Sequence, residues 1–102
     1  MYRVDWTRDA KKDRDIAIKN GLGAEVAKAL KTVRQNPRDP NPPEHRYEEL
    51  KGKLKGIHTR RLDYTNRFAY QILQNDGNDK NPETGEIYEG IVKVICMWGH
   101  FP

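Results

Sequence analysis

The chain is 102 residues long, has a formal net charge of +4, and contains 35% apolar and 33% charged residues. This length suits one domain with a modest core, and the apolar fraction argues against disorder along most of the chain. No apolar run is long enough for a transmembrane helix or a signal peptide, and a single cysteine, Cys96, excludes an internal disulfide. We expect a soluble, cytoplasmic protein without a membrane partner, and the basic balance favours nucleic acid as a ligand.

The first predicted elements are a strand and a helix. Tyr2, Val4 and Trp6 alternate with polar residues, which is typical of a strand with one buried face. Thr7 offers a hydroxyl that caps a helix extending to Lys19. On this helix we expect the core face to carry two alanines and one of two isoleucines, namely Ala10, Ala17 and either Ile16 or Ile18.

A second helix is predicted from about Gly23 to Gln35, after a stop at Asn20-Gly21. Its apolar residues recur at spacings of three and four, which places them on one face. They are Leu22, Val26, Ala29, Leu30 and Val33. Residues 36–46 contain four prolines and are interpreted as an extended linker, not a domain boundary. Residues 47–54 are predicted to form a short helical turn.

Three further strands are predicted at Ile57–Leu62, Arg67–Leu73 and Ile91–Trp98. Residues 63–66 form a turn between the first two, whereas an acidic segment at about 75–90 separates the last two. This order predicts an α+β domain, with a mostly antiparallel sheet of about four strands and the helices packed on one face.

Arginines cluster on two neighbouring predicted strands. Alternation places Arg61 on one face with Thr59, and Arg60 on the other face with His58. Arg67 opens the next strand, so two guanidinium groups approach each other. A phosphate between them would offset their repulsion, and the planar guanidinium suits it. A merely solvated basic face explains the pattern equally simply.

Two further groups complete a set that could cleave RNA. Glu48 and Lys51 precede the arginines, and a carboxylate among cations can accept a proton. His100 stands near the chain end between Trp98 and Phe101, and histidine suits general acid catalysis. A surface glutamate on a polar turn and a frayed tail remain the simpler explanations. No phosphate-binding glycine-rich loop or zinc-ligand spacing is present, so we expect no cofactor and no metal.

Three sequence blocks resemble one toxin family. The run YEELKGKLKGIHTRRL at residues 47–62 resembles the P-E-x-L-K-x-x-L-x-G-x-x-S-R-R-I block of the YoeB/Txe toxins, in the RelE-like superfamily. YTNRFAY at residues 64–70 is similar to E-E-H-R-L-V-Y, and GHF at residues 99–101 to the family's Y-H-Y ending. The resemblance implies one RelE-like ribonuclease domain over residues 1–102, with the acidic segment as an insertion.

The resemblance also implies a function. Such toxins are endoribonucleases that cleave mRNA in the ribosomal A site without a metal, and a YefM/Phd-like antitoxin neutralises them. The partners implied are thus antitoxin, mRNA and ribosome, and dimers in the family allow a homodimer. The implied general base, phosphate-binding arginine and general acid are Glu48, Arg67 and His100. The implied substrate-binding residues are Lys51, Arg61 and Phe101.

The chain departs from the family pattern in several places. Phe101 lacks the hydroxyl of the family tyrosine, Asn66 replaces a histidine, and Pro102 extends the tail. The segment at 75–90 is either a solvated hairpin or a contact for the antitoxin or ribosome. A catalytically impaired relative that only binds RNA or antitoxin therefore stays open. A DNA-binding regulator is less favoured, because the most basic element is a strand instead of a recognition helix.

Overall fold

The computed structural model describes residues 1–99. In this range the chain forms two helices and five strands. They are β1 (Arg3–Trp6), α1 (Arg8–Ala17), α2 (Gly23–Gln35), β2 (Glu48–Glu49), β3 (Ile57–Arg61), β4 (Arg67–Leu73) and β5 (Ile91–Cys96). The strands form one sheet in the order β1-β5-β4-β3-β2. The predicted α+β class and the order of strand, two helices and sheet are confirmed.

The N-terminal elements begin and end largely as predicted. The Thr7 hydroxyl accepts a hydrogen bond from the backbone N–H of Ala10 at 3.1 Å and caps α1. Gly21 has φ of +89° and lies inside the π-helical turn Ile18–Leu22, where it makes the kink between α1 and α2. The prediction of a buried isoleucine is wrong, since Ile16 and Ile18 are 40% and 48% exposed. Both isoleucines are sequence neighbours of Ala17, which is buried. Because consecutive residues of a helix are rotated by about 100°, the two side chains point away from the narrow apolar face that contains Ala17.

The sheet is mixed because its first strand pairs with its last. β1 runs parallel to β5, with Val4 opposite Val92, while all other neighbours are antiparallel. One face of the sheet packs against the helices. That core contains Val26, Ala29, Val33, Phe68, Tyr70, Val92 and Val94. The opposite face is left free of helices and carries the candidate site.

The predicted helical turn at residues 47–54 is wrong over its first half. Glu48 and Glu49 form the edge strand β2, opposite Thr59 and His58 of β3. The backbone N–H of Leu50 continues this pairing through a 2.8 Å hydrogen bond to the carbonyl of Ile57. Pairing with a distant strand therefore overrides local helix propensity, and only Gly52–Leu54 forms a 3-10 turn.

A buried arginine anchors the proline-rich linker to the sheet. The guanidinium of Arg60 is 0% exposed and donates to the carbonyls of Asp39 at 2.5 Å and of Pro37 and Asn41 at 3.4 Å. It also donates to the hydroxyl of Tyr70 at 3.1 Å, and burial raises the pKa of that phenol to about 12. These bonds hold residues 36–46 against β3 and β4 and so determine where β2 begins.

The acidic segment folds back toward the N-terminus. Lys80 and Ile87 form an isolated antiparallel bridge. Asp79 forms an ion pair with Arg3 of β1, and the carboxylate of Glu89 lies 3.3 Å from the N-terminal amine of Met1. The segment is thus held at the β1 side of the sheet, away from the edge strand β2. None of the helices in residues 1–99 is both long enough and apolar enough to cross a membrane.

Candidate functional site

A cavity of about 520 Å³ opens on the helix-free face of the sheet, where β2, β3 and β4 meet. Its size lies within the roughly 300–1,000 Å³ typical of small-ligand sites. The lining residues are Arg46, Tyr47, Glu48, Leu50, Thr59, Arg61 and Arg67. Three predicted site residues, Glu48, Arg61 and Arg67, therefore surround one cavity. Lys51 is exposed and lies outside this lining set.

The two arginines face each other across a pair of strands. Arg61 and Arg67 are direct partners in the β3–β4 register, and such partners have Cβ atoms about 4.5–5.5 Å apart. No carboxylate of residues 1–99 forms an ion pair with either guanidinium. Like charges placed opposite each other are destabilising, so the arrangement is suited to an anion bound between them.

Glu48 reaches this cavity because it alternates with its neighbours along β2. It lies opposite Thr59 and is exposed, whereas Glu49 lies opposite His58. Oε1 of Glu49 is 3.5 Å from Nε2 of His58, which is buried on the core side. Two adjacent carboxylates thus have different surroundings: Glu48 meets the cationic cavity and Glu49 meets a buried imidazole.

A buried aromatic stack supports β2 from the core side. The hydroxyl of Tyr47 lies 2.8 Å from Nδ1 of His58, whose ring stacks on Tyr70 at a centroid distance of 5.5 Å. The Arg60 guanidinium lies 4.9 Å from the centroid of the Tyr47 ring. Burial lowers the pKa of His58, which favours the neutral imidazole. This histidine therefore serves to position β2 and contributes no cation to the cavity.

Asn66 ties the C-terminal segment to the site, a role that its sequence position did not reveal. Its side-chain oxygen accepts the backbone N–H of Gly99 at 2.8 Å, and its amide donates to Asp63 at 3.1 Å. The backbone N–H of Arg67 in turn donates to the carbonyl of Gly99 at 3.0 Å. The chain is thus held beside Arg67 at the last described residue. The predicted His100 and Phe101 lie outside the described residues.

Arg46 is a lining residue that the sequence analysis missed. It ends the 3-10 turn Pro43–His45 with a left-handed backbone, φ 46° and ψ 53°. Because Arg46 is not extended, alternation along the chain does not predict which face it occupies. Arg46 and Glu48 are brought to one cavity by the turn and by the pairing of β2 with β3, neither of which the sequence analysis contained. Within residues 1–99 there is no group of three or more side chains suited to holding a metal ion.

Comparisons with known proteins identify the fold. No family model matches the chain, and no curated protein sequence matches it. Among solved structures, the YoeB/ParE toxin from Agrobacterium tumefaciens superimposes with a TM-score of 0.74 at 18% identity, over 97% of this chain and 99% of that chain. A YoeB dimer from Staphylococcus aureus gives 0.68 at 17% identity, over 98% of each chain. The toxin in a heterotetrameric YoeB–YefM toxin–antitoxin complex from the same organism gives 0.67 at 17%, over 99% of each chain.

Proposed function

We propose, from the premise that this chain has the fold of the YoeB-like toxins, that it is the toxin of a type II toxin–antitoxin pair. It would act in the cytoplasm as an endoribonuclease that cleaves mRNA, bound in the ribosomal A site, without a metal ion. The observation that carries the proposal is the convergence of Glu48, Arg61 and Arg67 on one cavity. Residues 1–102 would form one toxin domain, in which 75–90 is an insertion.

In the proposed reaction, Glu48 takes the proton from a ribose 2′-OH, and the 2′-oxygen attacks the adjacent phosphorus. The bond from phosphorus to the 5′-oxygen breaks, and a general acid protonates that leaving oxygen. The products are a 2′,3′-cyclic phosphate and a 5′-hydroxyl. Arg61 and Arg67 stabilise the negative charge that gathers on the phosphoryl oxygens. The resemblance assigns the acid to His100, a supporting cation to Lys51, and base stacking to Phe101.

The surroundings of the site support these roles. Arg61 and Arg67 lie opposite each other and, within residues 1–99, form no ion pair with a carboxylate, an arrangement that costs stability and that a bound phosphate would offset. Glu48 lines the same cavity. The proposed partners are mRNA, the ribosome and a YefM/Phd-like antitoxin that covers this cavity. A homodimer is a further proposal, consistent with the YoeB dimer among the similar structures.

One feature of the sequence supports a second candidate function. Phe101 stands where the family has tyrosine, so a catalytically impaired protein that binds RNA or antitoxin is the second candidate. Induced expression with and without a co-expressed antitoxin separates the two. Growth arrest with cleaved mRNA supports the ribonuclease, whereas antitoxin binding without arrest supports the impaired binder.

The test of the proposed base uses two adjacent glutamates as a matched pair. Glu48→Gln should relieve growth arrest on induction and abolish the mRNA cleavage detected by primer extension. Glu49→Gln changes the same chemical group on the opposite face of β2 and should remain toxic. Circular dichroism of both purified variants controls for folding. Equal toxicity of Glu48→Gln and wild type would refute the proposed role of Glu48.

A further inference from the structure

A second cavity adjoins the first at the end of the β3–β4 pair. It measures about 360 Å³ and shares two arginines, Arg46 and Arg61, with the cavity described above. Its lining also includes Tyr64 from the β3–β4 turn and Glu25 from α2. The shared arginines mean that a ligand longer than one phosphate group can continue from one cavity into the other.

The wall between the two cavities is cationic. Within the described part of the chain, neither Arg46 nor Arg61 forms an ion pair with a carboxylate. Arg46 also keeps a left-handed backbone that residues with a side chain seldom adopt, and such conformations concentrate at binding sites. A polyanion passing between the cavities would meet both guanidinium groups.

An exposed aromatic ring stands at the far end of the second cavity. Tyr64 is 87% exposed, although the turn that carries it is well ordered by hydrogen bonds. The carboxylate of Asp63 accepts the backbone N–H groups of Thr65 at 2.9 Å and Asn66 at 2.7 Å. The carbonyl of Tyr64 accepts from Nη1 of Arg67 at 3.3 Å, which links the turn to the first cavity. These bonds fix the backbone of the turn, and Tyr64 lines the second cavity together with Arg46 and Arg61.

The carboxylates around the second cavity are largely engaged by the chain itself. Glu44 pairs with Lys28 at 3.0 Å, and Asp63 is occupied by its turn. Glu25 remains on the α2 side. A phosphate is consequently favoured at the arginine wall, and the uncharged part of a nucleotide is favoured toward Tyr64 and α2.

We propose that the second cavity binds the nucleotide one step beyond the two that flank the cleaved bond. Arg46, with Arg61, holds the neighbouring backbone phosphate, and the base stacks on Tyr64. Aromatic stacking accepts any base, because each base has a π-face, so this subsite would set the length of RNA that is bound and not its sequence. The inference rests on the proposed function, since the first cavity must take the cleaved phosphate.

The test compares short RNA analogues of two lengths. We would use fluorescent 2′-O-methyl oligoadenylates, a dinucleotide and a tetranucleotide, which lack the attacking hydroxyl and cannot be cleaved. Fluorescence anisotropy on the full-length protein measures Kd. Wild type should bind the tetranucleotide about tenfold more tightly than the dinucleotide. Tyr64→Ala should remove most of this gain and leave the dinucleotide Kd within about twofold. Arg46 also lines the first cavity, so Arg46→Ala should weaken binding of both oligonucleotides and remove most of the gain as well.

Controls separate stacking and local charge from general effects. Tyr64→Phe retains the ring and should keep the length dependence, and Arg46→Lys should retain part of it. Arg8→Ala removes a distant exposed arginine and should behave as wild type. A length gain that survives in both Tyr64→Ala and Arg46→Ala would overturn the second subsite. So would a loss confined to antitoxin binding, because the cavity would then serve a protein partner.

The outcome also distinguishes this inference from the function on which it rests. If wild type binds the dinucleotide and Arg61→Ala weakens that binding, the first cavity takes the phosphate, and the absence of any length gain contradicts only the second subsite. If wild type binds neither oligonucleotide, the second subsite is contradicted, and cleavage of ribosome-bound mRNA tests the proposed function separately.

Discussion

Arg60 and Arg61 are adjacent in β3 and chemically identical, yet they lie on opposite faces of the sheet. Arg60 is fully buried, and three linker carbonyls and the Tyr70 hydroxyl accept its hydrogen bonds. Arg61 faces a cavity and lies opposite Arg67, with no carboxylate of residues 1–99 paired to it. The satisfied hydrogen bonds of Arg60 show that it stabilises the fold. The position of Arg61, opposite a like charge, is the basis on which we propose that it binds an anion.

The largest expected effect on stability follows from replacing the buried arginine. Arg60→Met keeps much of the side-chain volume but removes the donor to the part-buried carbonyl of Asp39 and to the buried hydroxyl of Tyr70, at a cost of roughly 1–3 kcal/mol for each unsatisfied group. We expect the free energy of unfolding to fall by about 3 kcal/mol or more in urea titrations. Arg61→Met, the matched variant, relieves the repulsion from Arg67 and should raise it by about 0.2–1 kcal/mol. Equal losses in the two variants would contradict the division between the faces.

For activity, we expect the larger effect from the arginines that face the cavity. Arg67→Gln removes the guanidinium proposed to stabilise the transition state, so RNA cleavage should fall by about 10²–10³-fold. The same change relieves the repulsion from Arg61 and should stabilise the protein by about 0.2–1 kcal/mol. Single-turnover cleavage and urea unfolding of one preparation measure both effects. A variant that loses activity together with stability would instead indicate a structural role.

Asn66 tests how the C-terminal segment is attached to the active face. Asn66→Ala removes the acceptor for Gly99 and a donor to Asp63, so unfolding should become easier by about 1–2 kcal/mol. The rate of RNA cleavage should fall by more than the loss of folded protein explains, because the segment beside Arg67 is no longer held by Asn66. Thr65→Ala, in the same exposed turn, serves as the control. Wild-type cleavage by a folded Asn66→Ala protein would show that this anchor is dispensable.

The buried histidines should make the stability of the protein depend on pH, with a smaller effect than the substitutions above. Burial lowers the pKa of both His45 and His58, so in mild acid the unfolded chain binds protons that the folded chain does not bind. Their contribution to stability is complete above the unfolded pKa of about 6.5 and is lost as the pH falls below it. Urea midpoints measured from pH 7.5 to pH 5 should decline, and less steeply in His45→Met. Identical slopes of urea midpoint against pH for the variant and wild type would show that His45 does not contribute to the pH dependence of stability.

Local pattern was sufficient for much of the fold and for the two facing arginines. Period-two alternation placed Arg60 and Arg61 on opposite faces, and the Thr7 cap and the helical spacing around Val33 indicated both helices. Pairing between distant segments was not readable in this way. The two-residue strand β2 forms only by pairing with β3. Because the prediction did not contain β2, it also missed Arg46 as a residue of the cavity. The parallel pairing of β1 with β5 likewise depends on contacts across almost the whole chain.

The most direct test of the central claim is the chemistry of the cut ends. Purified protein is incubated with ribosomes programmed with a short mRNA, and the RNA fragments are weighed by mass spectrometry. We predict a 2′,3′-cyclic phosphate and a 5′-hydroxyl at the cut, formed by wild type and Glu49→Gln but not by Glu48→Gln. Fragments of the same kind and amount from Glu48→Gln, or intact mRNA with wild type, would contradict the assignment of this cavity as a ribonuclease site.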